Sequence, residues 1–428
     1  MKVTFEDIQQ AAARLDGAGL RTPCILSDTL SELTGAQVFL KLENLQRTGS
    51  FKERGARNAL LQLDEAQRAT GVVAASAGNH ALGLAFHGRS LDVPVTVVMP
   101  ASAPLIKQAR CRRLGARVLT IGETFQDAYE KAQQLVDEEG LHYVHGYDAP
   151  EIIAGQGTMG LEIIDQLKRR YDATPDILIV PVGGGGLLAG LTICMRHAMP
   201  DSQIFGVEPE RAATYHAARE QGRPVFVPVG RTIADGLATP DVGANAFENT
   251  RDKIAGMLLV DEAAISIAVL RLLEYEKLVV EGAGAAGLAA IIADHDAGLL
   301  SGTLPELAGK NVVLPICGGN IDPTILQRVI ERGLAIDGRL MRFTTTISDK
   351  PGGLRKLAEA ISDAGASVVD ILHDRAFASA DLSSVDVRCI VETNSQEHAR
   401  QLVELLTQSG FHVKVEPSGV RTTPHFVG

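Results

Sequence analysis

Cysteines are few and scattered in this sequence. The 428-residue chain has five, at positions 24, 111, 194, 317 and 389, and no two form a Cys-x-x-Cys pair. An odd number at such separations predicts neither a disulfide framework nor a zinc ribbon. Apolar runs long enough to cross a bilayer are missing, and the N-terminus lacks the apolar segment of a secretory signal. We therefore expect a cytoplasmic protein without membrane contact.

Basic residues are outnumbered by acidic ones, 41 against 52, which gives a formal net charge of −11. A negative balance disfavours a surface that binds nucleic acid or anionic lipid. The most basic segment, residues 107–113, has a spacing that predicts a solvated helix face. The length exceeds what one simple core accommodates, so two or three domains are expected.

Helices and strands alternate through the first 330 residues. Strands are predicted at 71–76, 93–99 and 117–121, with helices between them. A helix predicted at 159–171 starts after Gly155 and Gly157, which read as a break. Such alternation indicates an α/β domain with open parallel sheets.

The pattern changes near residue 330. Residues 331–339 read as a linker, and residues 340–416 as a compact unit in the order strand, helix, strand, strand, helix, strand. That order is the ferredoxin-like α+β arrangement. Residues 417–428 read as a loose tail.

One lysine stands in a distinctive context, Ser50-Phe-Lys-Glu-Arg-Gly55. Lys52 could be one more surface charge. Lysine is also the residue that forms Schiff bases with carbonyl cofactors, because its ammonium loses a proton readily when desolvated. The two interpretations separate an ordinary globular protein from a catalyst.

Four consecutive glycines, Gly183 to Gly186, directly follow an apolar strand and open a helix. Without side chains, their backbone N–H groups can converge at a positive helix terminus, which favours phosphate binding. A tight turn or a flexible linker is the alternative. The loop lacks the Lys-Ser/Thr pair of a Walker motif, which disfavours a nucleoside triphosphate site.

Two further motifs follow predicted strands. Ser76-Ala-Gly-Asn-His80 has backbone amides that could hold a carboxylate, although a capped turn fits equally well. Cys317-Gly-Gly-Asn320 could be a plain turn after a buried thiol. Ligands of open α/β sheets bind outside the carboxyl ends of the strands. A lysine, a phosphate cradle, a carboxylate-binding turn and a small polar group together suit pyridoxal phosphate.

Taken in order, these motifs resemble the fold-type II (tryptophan synthase β-like) pyridoxal-phosphate enzymes, in particular the group of threonine ammonia-lyase (threonine dehydratase) and serine dehydratase. The resemblance covers about residues 1–330, with a small subdomain at about 50–150. The unit at 340–416 resembles an ACT regulatory domain.

The resemblance implies a role for each motif. Lys52 would form the Schiff base, with Phe51 packed beside the cofactor. Asn79 would hydrogen-bond the 3-hydroxyl, and Cys317 would face the pyridine nitrogen. The phosphate would be held by Gly183, Gly184, Gly185, Gly186 and the amide of Leu187. The substrate carboxylate would lie on the turn formed by Ser76, Ala77, Gly78, Asn79 and His80.

The activity implied is deamination of L-threonine to 2-oxobutanoate and of L-serine to pyruvate, with the Lys52 amine taking the Cα proton. A serine racemase is an alternative, but racemases of this group carry a serine at the position of Ala77, and a methyl group cannot transfer a proton. Their metal-binding carboxylates match Glu208 but not Thr214, so no required metal is expected. Two further classes stay open, a non-catalytic amino-acid sensor and a β-replacement enzyme.

Regulation follows from the resemblance to an ACT domain. The turn with Asp349, Gly352, Gly353 and Leu354 would bind a small amino acid, isoleucine or valine, across a subunit interface. We therefore expect a homo-oligomer, a dimer or a tetramer.

Overall fold

The computed structural model describes residues 2–19, 21–295, 300–301, 304–374 and 383–416. The chain divides into two compact units, Met1–Ile321 and Asp322–Gly428. The predicted tail, 417–428, lies outside the described residues.

Strands of the described chain are numbered in sequence order. They are β1 (Cys24–Ser27), β2 (Gln37–Lys41), β3 (Val72–Ala75), β4 (Val95–Met99), β5 (Arg117–Thr120), β6 (His142–Tyr143), β7 (Ile177–Pro181), β8 (Gln203–Pro209), β9 (Gly256–Val260), β10 (Leu300–Ser301), β11 (Asn311–Pro315), β12 (Leu340–Ser348), β13 (Ser367–Asp374), β14 (Ser384–Glu392) and β15 (Val413–Val415).

The α-helices follow the same numbering. They are α1 (Phe5–Leu15), α2 (Asp28–Thr34), α3 (Lys52–Leu61), α4 (Glu65–Thr70), α5 (Asn79–Ser90), α6 (Leu105–Arg113), α7 (Phe125–Glu139), α8 (Pro150–Tyr171), α9 (Gly186–Ala198), α10 (Thr214–Gln221), α11 (Ala244–Thr250), α12 (Glu262–Glu274), α13 (Gly282–His295), α14 (Pro323–Ile336), α15 (Gly353–Asp363) and α16 (Gln396–Gln408).

The first unit contains two sheets. The larger has the order β1-β2-β11-β7-β8-β9-β10, and the smaller has the order β5-β4-β3-β6. Every pair in the smaller sheet is parallel. The interior pairs of the larger sheet are also parallel, and β7 is buried along its whole length, as expected for a strand covered on both faces. The predicted α/β class is confirmed.

The edges of the larger sheet add antiparallel pairs that the sequence did not indicate. Strand β1 pairs antiparallel with β2, and β10 pairs antiparallel with β9. The short helix α2 is the main part of the connection between β1 and β2. A parallel pair needs a crossover of a dozen or more residues, so this connection allows only the antiparallel arrangement.

Helix α8 corrects the predicted break at Gly155 and Gly157, because it runs unbroken from Pro150 to Tyr171. A Cβ atom on Gly155 would lie 2.7 Å from the Cα of Gly55 in α3, and one on Gly157 would lie 2.9 Å from the carbonyl oxygen of Gly190 in α9. These glycines therefore allow close helix crossings. They tie α8 to the helix that starts with Lys52.

The second unit is a four-stranded antiparallel sheet with the order β13-β14-β12-β15. Alternate residues of β12 and β14 are buried, with Phe343 and Val387 among them, and they pack with Leu357 of α15 and Leu402 of α16. The predicted ferredoxin-like order is confirmed. Helix α14 occupies part of the predicted linker at 331–339.

In the part of the chain that the structure describes, no helix combines the length and the apolar character needed to cross a bilayer. All five cysteines are buried free thiols.

Candidate active site

Backbone hydrogen bonds join two of the sequence motifs although nearly 270 residues separate them. The N–H of Phe51 donates to the carbonyl oxygen of Cys317 at 3.0 Å, and the N–H of Gly319 donates to that of Gly49 at 2.9 Å. The side chain of Asn320 donates to the Thr48 carbonyl at 2.6 Å. The segment before Lys52 is therefore fixed to the loop that follows β11.

Lys52 is the first residue of α3, and its Nζ donates to the carbonyl oxygen of Gly146 at 2.6 Å. The Phe51 ring lies beside the amine, with its centroid 5.2 Å from Nζ. Removal from water lowers the pKa of Lys52 to about 8, because desolvation outweighs the opposing effects of Cys317 and Glu281. A measurable fraction of the amine is therefore uncharged near neutral pH.

The glycine loop connects β7 to α9. Gly185 adopts φ +91° and precedes the helix without any side-chain cap, so the first N–H groups of α9 have no capping partner from that residue. A Cβ atom on Gly184 would lie 2.2 Å from the Tyr147 ring, and one on Gly186 would lie 2.2 Å from the Tyr147 carbonyl oxygen. The loop fits against Tyr147 only because it lacks side chains.

The turn after β3 brings Asn79 and His80 to the start of α5. Asn79 Nδ2 donates to Glu281 at 2.7 Å, and its Oδ1 accepts from Asn320 at 2.8 Å. His80 is 4% exposed, and its Nε2 lies 3.1 Å from the carbonyl oxygen of Val144. This contact requires the proton on Nε2, so Nδ1 has none to donate. Burial also lowers the pKa of His80 to about 3, which keeps the ring neutral.

Cys317 follows β11 and is 3% exposed. Burial, reinforced by the nearby carboxylates of Glu281 and Glu43, raises the pKa of its thiol well above the usual value. Cys317 is therefore a neutral thiol at any physiological pH.

Lys52, the turn after β3, the glycine loop and Cys317 line one cavity of about 460 Å³. This volume suits a cofactor together with a small substrate. The predicted residues that line it are Phe51, Lys52, Ser76, Ala77, Gly78, Asn79, His80, Gly183, Gly184, Gly185, Gly186, Leu187 and Cys317.

Sequence reasoning missed the segment from His145 to Tyr147, which lines the same cavity. Its Gly146 carbonyl binds Lys52, and its Tyr147 packs on the glycine loop while donating to Asp241 at 3.1 Å. The N–H of Tyr147 donates to His145 Nδ1 at 3.2 Å, which fixes the tautomer of that ring. No motif marks this segment, because its contacts join residues far apart in the sequence.

Four charged residues of the cavity were also missed: Lys107, Asp235, Asp241 and Glu281. Lys107 pairs with Asp235 at 3.2 Å and keeps 23% of its side chain exposed, a contact that the prediction of a solvated helix face did not include. Glu281 is 7% exposed, and burial together with the charge of Asp235 raises its pKa to about 7.

Glu208 does not face this cavity. Its carboxylate accepts hydrogen bonds from the N–H groups of Tyr215 at 2.7 Å and His216 at 2.9 Å, close to the start of α10. Burial raises its pKa to about 8. Within the described ranges no cluster of three or more His, Cys, Asp or Glu side chains has the geometry to hold a metal.

The predicted regulatory residues lie in the second unit, in the turn between β12 and α15. Asp349 N–H donates to the Ser383 carbonyl at 3.0 Å, and Gly352 adopts φ +99°. A Cβ atom on Gly353 would lie 2.1 Å from the Ser348 carbonyl oxygen. Leu354 is 39% exposed.

Fold and cavity define an α/β enzyme in which a part-buried lysine of lowered pKa and a glycine-rich loop line one cavity at the carboxyl ends of parallel strands. The donors fit pyridoxal phosphate: an amine of lowered pKa for the aldehyde, uncapped helix N–H groups for the phosphate and a neutral thiol for the ring nitrogen. The loop at Gly184 and Gly186 has no space for a side chain, as a backbone phosphate cradle requires.

The comparisons agree with this geometry. The family model "Pyridoxal-phosphate dependent enzyme" matches residues 15–318. The chain is 38% identical to L-threonine ammonia-lyase of Thermotoga maritima, over 96% of this chain and 99% of that protein. It is 41% identical to L-threonine ammonia-lyase of Geobacter sulfurreducens, over 95% and 98%.

A solved structure with the same fold is serine racemase of Dictyostelium discoideum, at 35% identity and a TM-score of 0.68, over 75% of this chain and 99% of that one. The chain belongs to the family of pyridoxal-phosphate dependent enzymes. The predicted cofactor and fold type II class are therefore confirmed.

Proposed function

We propose that the chain deaminates L-threonine to 2-oxobutanoate and ammonia, and L-serine to pyruvate, by loss of the β-hydroxyl group. The observation that carries this proposal is that the Lys52 amine and the glycine loop line one cavity. The names of the two relatives aligned over 95% and 96% of the chain support it.

The cofactor would be held from three sides. The N–H groups of Gly183 to Leu187 would bind its phosphate at the positive end of α9. Asn79 Nδ2 uses one hydrogen on Glu281 and has a second to offer the 3-hydroxyl oxygen. Cys317, as a neutral thiol, would contact the ring nitrogen without stabilising a positive charge there.

The substrate carboxylate would lie on the turn from Ser76 to His80. Because the His80 ring has no proton on Nδ1 and stays neutral, its contribution would come from the backbone N–H. The backbone N–H groups at the start of α5, with its positive dipole end, are donors suited to an anion.

Lys52 would anchor the cofactor and then act as the base. Bound pyridoxal phosphate supplies an electron sink for negative charge at the substrate Cα. With a pKa of about 8, the Lys52 amine is basic enough to take the Cα proton and is partly deprotonated at neutral pH. The β-hydroxyl would leave as water with one proton, which balances the proton taken from Cα. The released enamine would take up one water and give the 2-oxo acid and ammonia.

Ala77 argues for elimination over racemisation. Racemisation needs a second acid or base on the substrate face away from the lysine, and the methyl group of Ala77 has no proton to give. A neutral partner does not stabilise a positive charge on the ring nitrogen, so the cofactor ring would withdraw electrons only weakly. Prompt loss of the β-hydroxyl is then favoured over a long-lived carbanion.

Changing Ala77 to Ser is expected to introduce D-serine formation from L-serine, because a hydroxyl group then stands on the cavity wall. We expect the rate of D-serine formation to rise at least ~10-fold above wild type, at the low end of what a positioned proton donor contributes. Chiral chromatography measures it, with Ala77→Gly as the control that adds no hydroxyl. Wild type that forms D-serine faster than pyruvate would refute the role given to Ala77.

The second unit is proposed to regulate the enzyme as an ACT domain. The turn with Asp349, Gly352, Gly353 and Leu354 would bind a branched-chain amino acid.

Edge strand β13 exposes Val368, Val369 and Leu372 by 40%, 54% and 55%, which suits pairing with another copy of the chain. We therefore propose a homo-oligomer, and a monomer mass measured by light scattering would contradict it.

Free thiols suit the cytoplasm, which we propose as the location.

Steady-state kinetics with L-threonine and L-serine, each with and without isoleucine or valine, test the function. We expect a higher kcat/KM for threonine and an effect of one branched-chain amino acid that disappears when residues 335–428 are removed. Binding of amino acids without any turnover would favour a non-catalytic sensor. Unchanged kinetics with every branched-chain amino acid, together with no heat of binding in calorimetry, would exclude the proposed regulation.

A further inference from the structure

A buried ionic cluster includes a residue of the same helical turn as Lys52, and none of its members lines the cavity. It consists of Lys41, Glu43, Arg54 and Glu162, which are 0%, 0%, 1% and 13% exposed as side chains. Taking charges out of water costs several kcal/mol per ion, so a buried ion pair is weak support for stability alone. The proposed chemistry uses none of the four residues. The free-energy cost of burying their charges therefore indicates a role other than stability.

Arg54 is the centre of this cluster. Its Nε and Nη2 donate to the two oxygens of Glu43 at 2.8 and 2.7 Å. Its Nη1 and Nη2 donate to Glu162 at 2.6 and 2.9 Å, and Nη1 also reaches Thr158 at 3.2 Å. Two carboxylates are thus bound by one planar fork, which a lysine ammonium cannot reproduce.

The partners of Arg54 come from different parts of the first unit. Glu43 begins the single helical turn Glu43–Leu45 just after β2, whereas Glu162 lies in α8. Lys41, the last residue of β2, also donates to Glu162. The guanidinium therefore connects the first turn of α3 to the short helical turn after β2 and to the long helix α8.

The start of α3 needs such a connection. Its N-cap residue, Phe51, provides no side-chain cap. Instead, Glu53 accepts from the Thr48 N–H before the helix and from His87 Nε2 in α5 at 3.1 Å. Arg54 lies two residues after Lys52 in the same helical turn. Rotation of that turn would displace Lys52 Nζ from the Gly146 carbonyl, which it contacts at 2.6 Å.

We propose that Arg54 is a positioning residue that fixes the first turn of α3, and with it the direction in which Lys52 presents its amine to the cavity. The inference rests on the proposed role of Lys52. It gives a function to Arg54, a residue of the Ser50–Gly55 motif that the proposed chemistry does not use.

The shifts in pKa favour the charged forms of Arg54 and Glu43, the pair at the centre of the cluster. The neighbouring carboxylates hold the pKa of Arg54 above its already high value despite burial. Burial opposes ionisation of Glu43, but the charge and hydrogen bonds of Arg54, with Lys41, still hold its pKa below the usual value. Positioning by Arg54 is therefore expected to be independent of pH near neutrality.

Replacing Arg54 by lysine in the full chain tests the proposal, with Arg117→Lys as the matched control. Arg117 forms an exposed pair with Glu139 at 2.7 Å. We expect R54K to bind pyridoxal phosphate at least ~10-fold more weakly and to lose about 10- to 100-fold in kcat, the order expected for a misplaced reacting group. R117K should match wild type in both.

A second measurement separates positioning from a purely structural role. Competition labelling of Lys52 with an amine reagent, in the cofactor-free chain and across pH, reports the titration of its amine. In R54K we expect the pKa of the Lys52 amine to rise toward that of an ordinary lysine, whereas in R117K it should stay at about 8. If R54K lowers only the melting temperature and leaves labelling and cofactor affinity unchanged, the positioning role is wrong and the proposed function stands. Should R54K fold poorly, Glu43→Gln is measured in the same way.

Failure of the proposed function has a different signature. In that case the substitution R54K would still change the labelling of Lys52 across pH. Pyridoxal phosphate would, however, not protect Lys52 of the wild-type chain from the reagent. Protection in wild type together with the shift in R54K supports both.

Discussion

Lys52→Ala is expected to lower the rate of threonine deamination by at least ~10³-fold, because the base and the covalent anchor of the cofactor are lost together. The visible absorbance of the bound cofactor should change at the same time, since the aldehyde no longer has an amine partner on the protein. The measurements are 2-oxobutanoate formation and the absorption spectrum of the loaded protein.

A lysine remote from the cavity provides the control. Lys168 is exposed and pairs with Asp172 at the end of α8, and Lys168→Ala should leave both measurements unchanged. Addition of a small primary amine to Lys52→Ala should restore part of the activity if the missing group is a base. Full activity in Lys52→Ala, with the wild-type spectrum, would remove the lysine from the mechanism.

The same residue determines a pH dependence. Lys52 must lose its proton to attach the aldehyde, and burial places its pKa at about 8. The rate of cofactor uptake by the cofactor-free chain should therefore rise with pH and level off above about 8. A lysine with the ordinary pKa would continue to gain reactivity up to a pH of about 10.4.

Gly186→Ala is expected to weaken the binding of pyridoxal phosphate by about 10- to 100-fold, the cost of forcing a methyl group into a closely packed site. The added Cβ would lie 2.2 Å from the Tyr147 carbonyl oxygen, which is backbone and cannot swing away. Separation of the two segments would disturb both the phosphate cradle and the Gly146 carbonyl that binds Lys52.

Pyridoxal, which lacks the phosphate, identifies which of the two effects dominates. If the cradle is the main loss, affinity for pyridoxal should fall much less than affinity for pyridoxal phosphate. Gly256→Ala in β9 is the control, because its Cβ would meet only the Phe205 ring at 3.3 Å. Wild-type affinity for the phosphorylated cofactor in Gly186→Ala would show that the loop does not bind the phosphate.

Residues at strand ends were predictable because parallel strands bring their carboxyl ends to one edge of a sheet. This reasoning placed Lys52, Asn79, the glycine loop and Cys317 near one another, and the structure gathers them around one cavity. The glycines also show its limit. The sequence indicates that Gly184 and Gly186 lack side chains, but not that Tyr147 occupies the space.

Several features depended on contacts that local patterns do not encode. Gly155 and Gly157 read as a helix break because glycine has low helix propensity, yet close packing against α3 and α9 outweighs that cost. Lys107 read as one charge of a solvated run, although its partner, Asp235, is 128 residues away. The contacts of Arg54 likewise required three elements to be in place.

Reductive trapping followed by peptide mapping tests the central claim most directly. The full chain is loaded with pyridoxal phosphate, reduced with borohydride and digested, and the site of the phosphopyridoxyl group is located by mass spectrometry. The account predicts one modified peptide, with the group on Nζ of Lys52. Attachment to Lys107 or another lysine, or no attachment in a chain that still deaminates threonine, would contradict it.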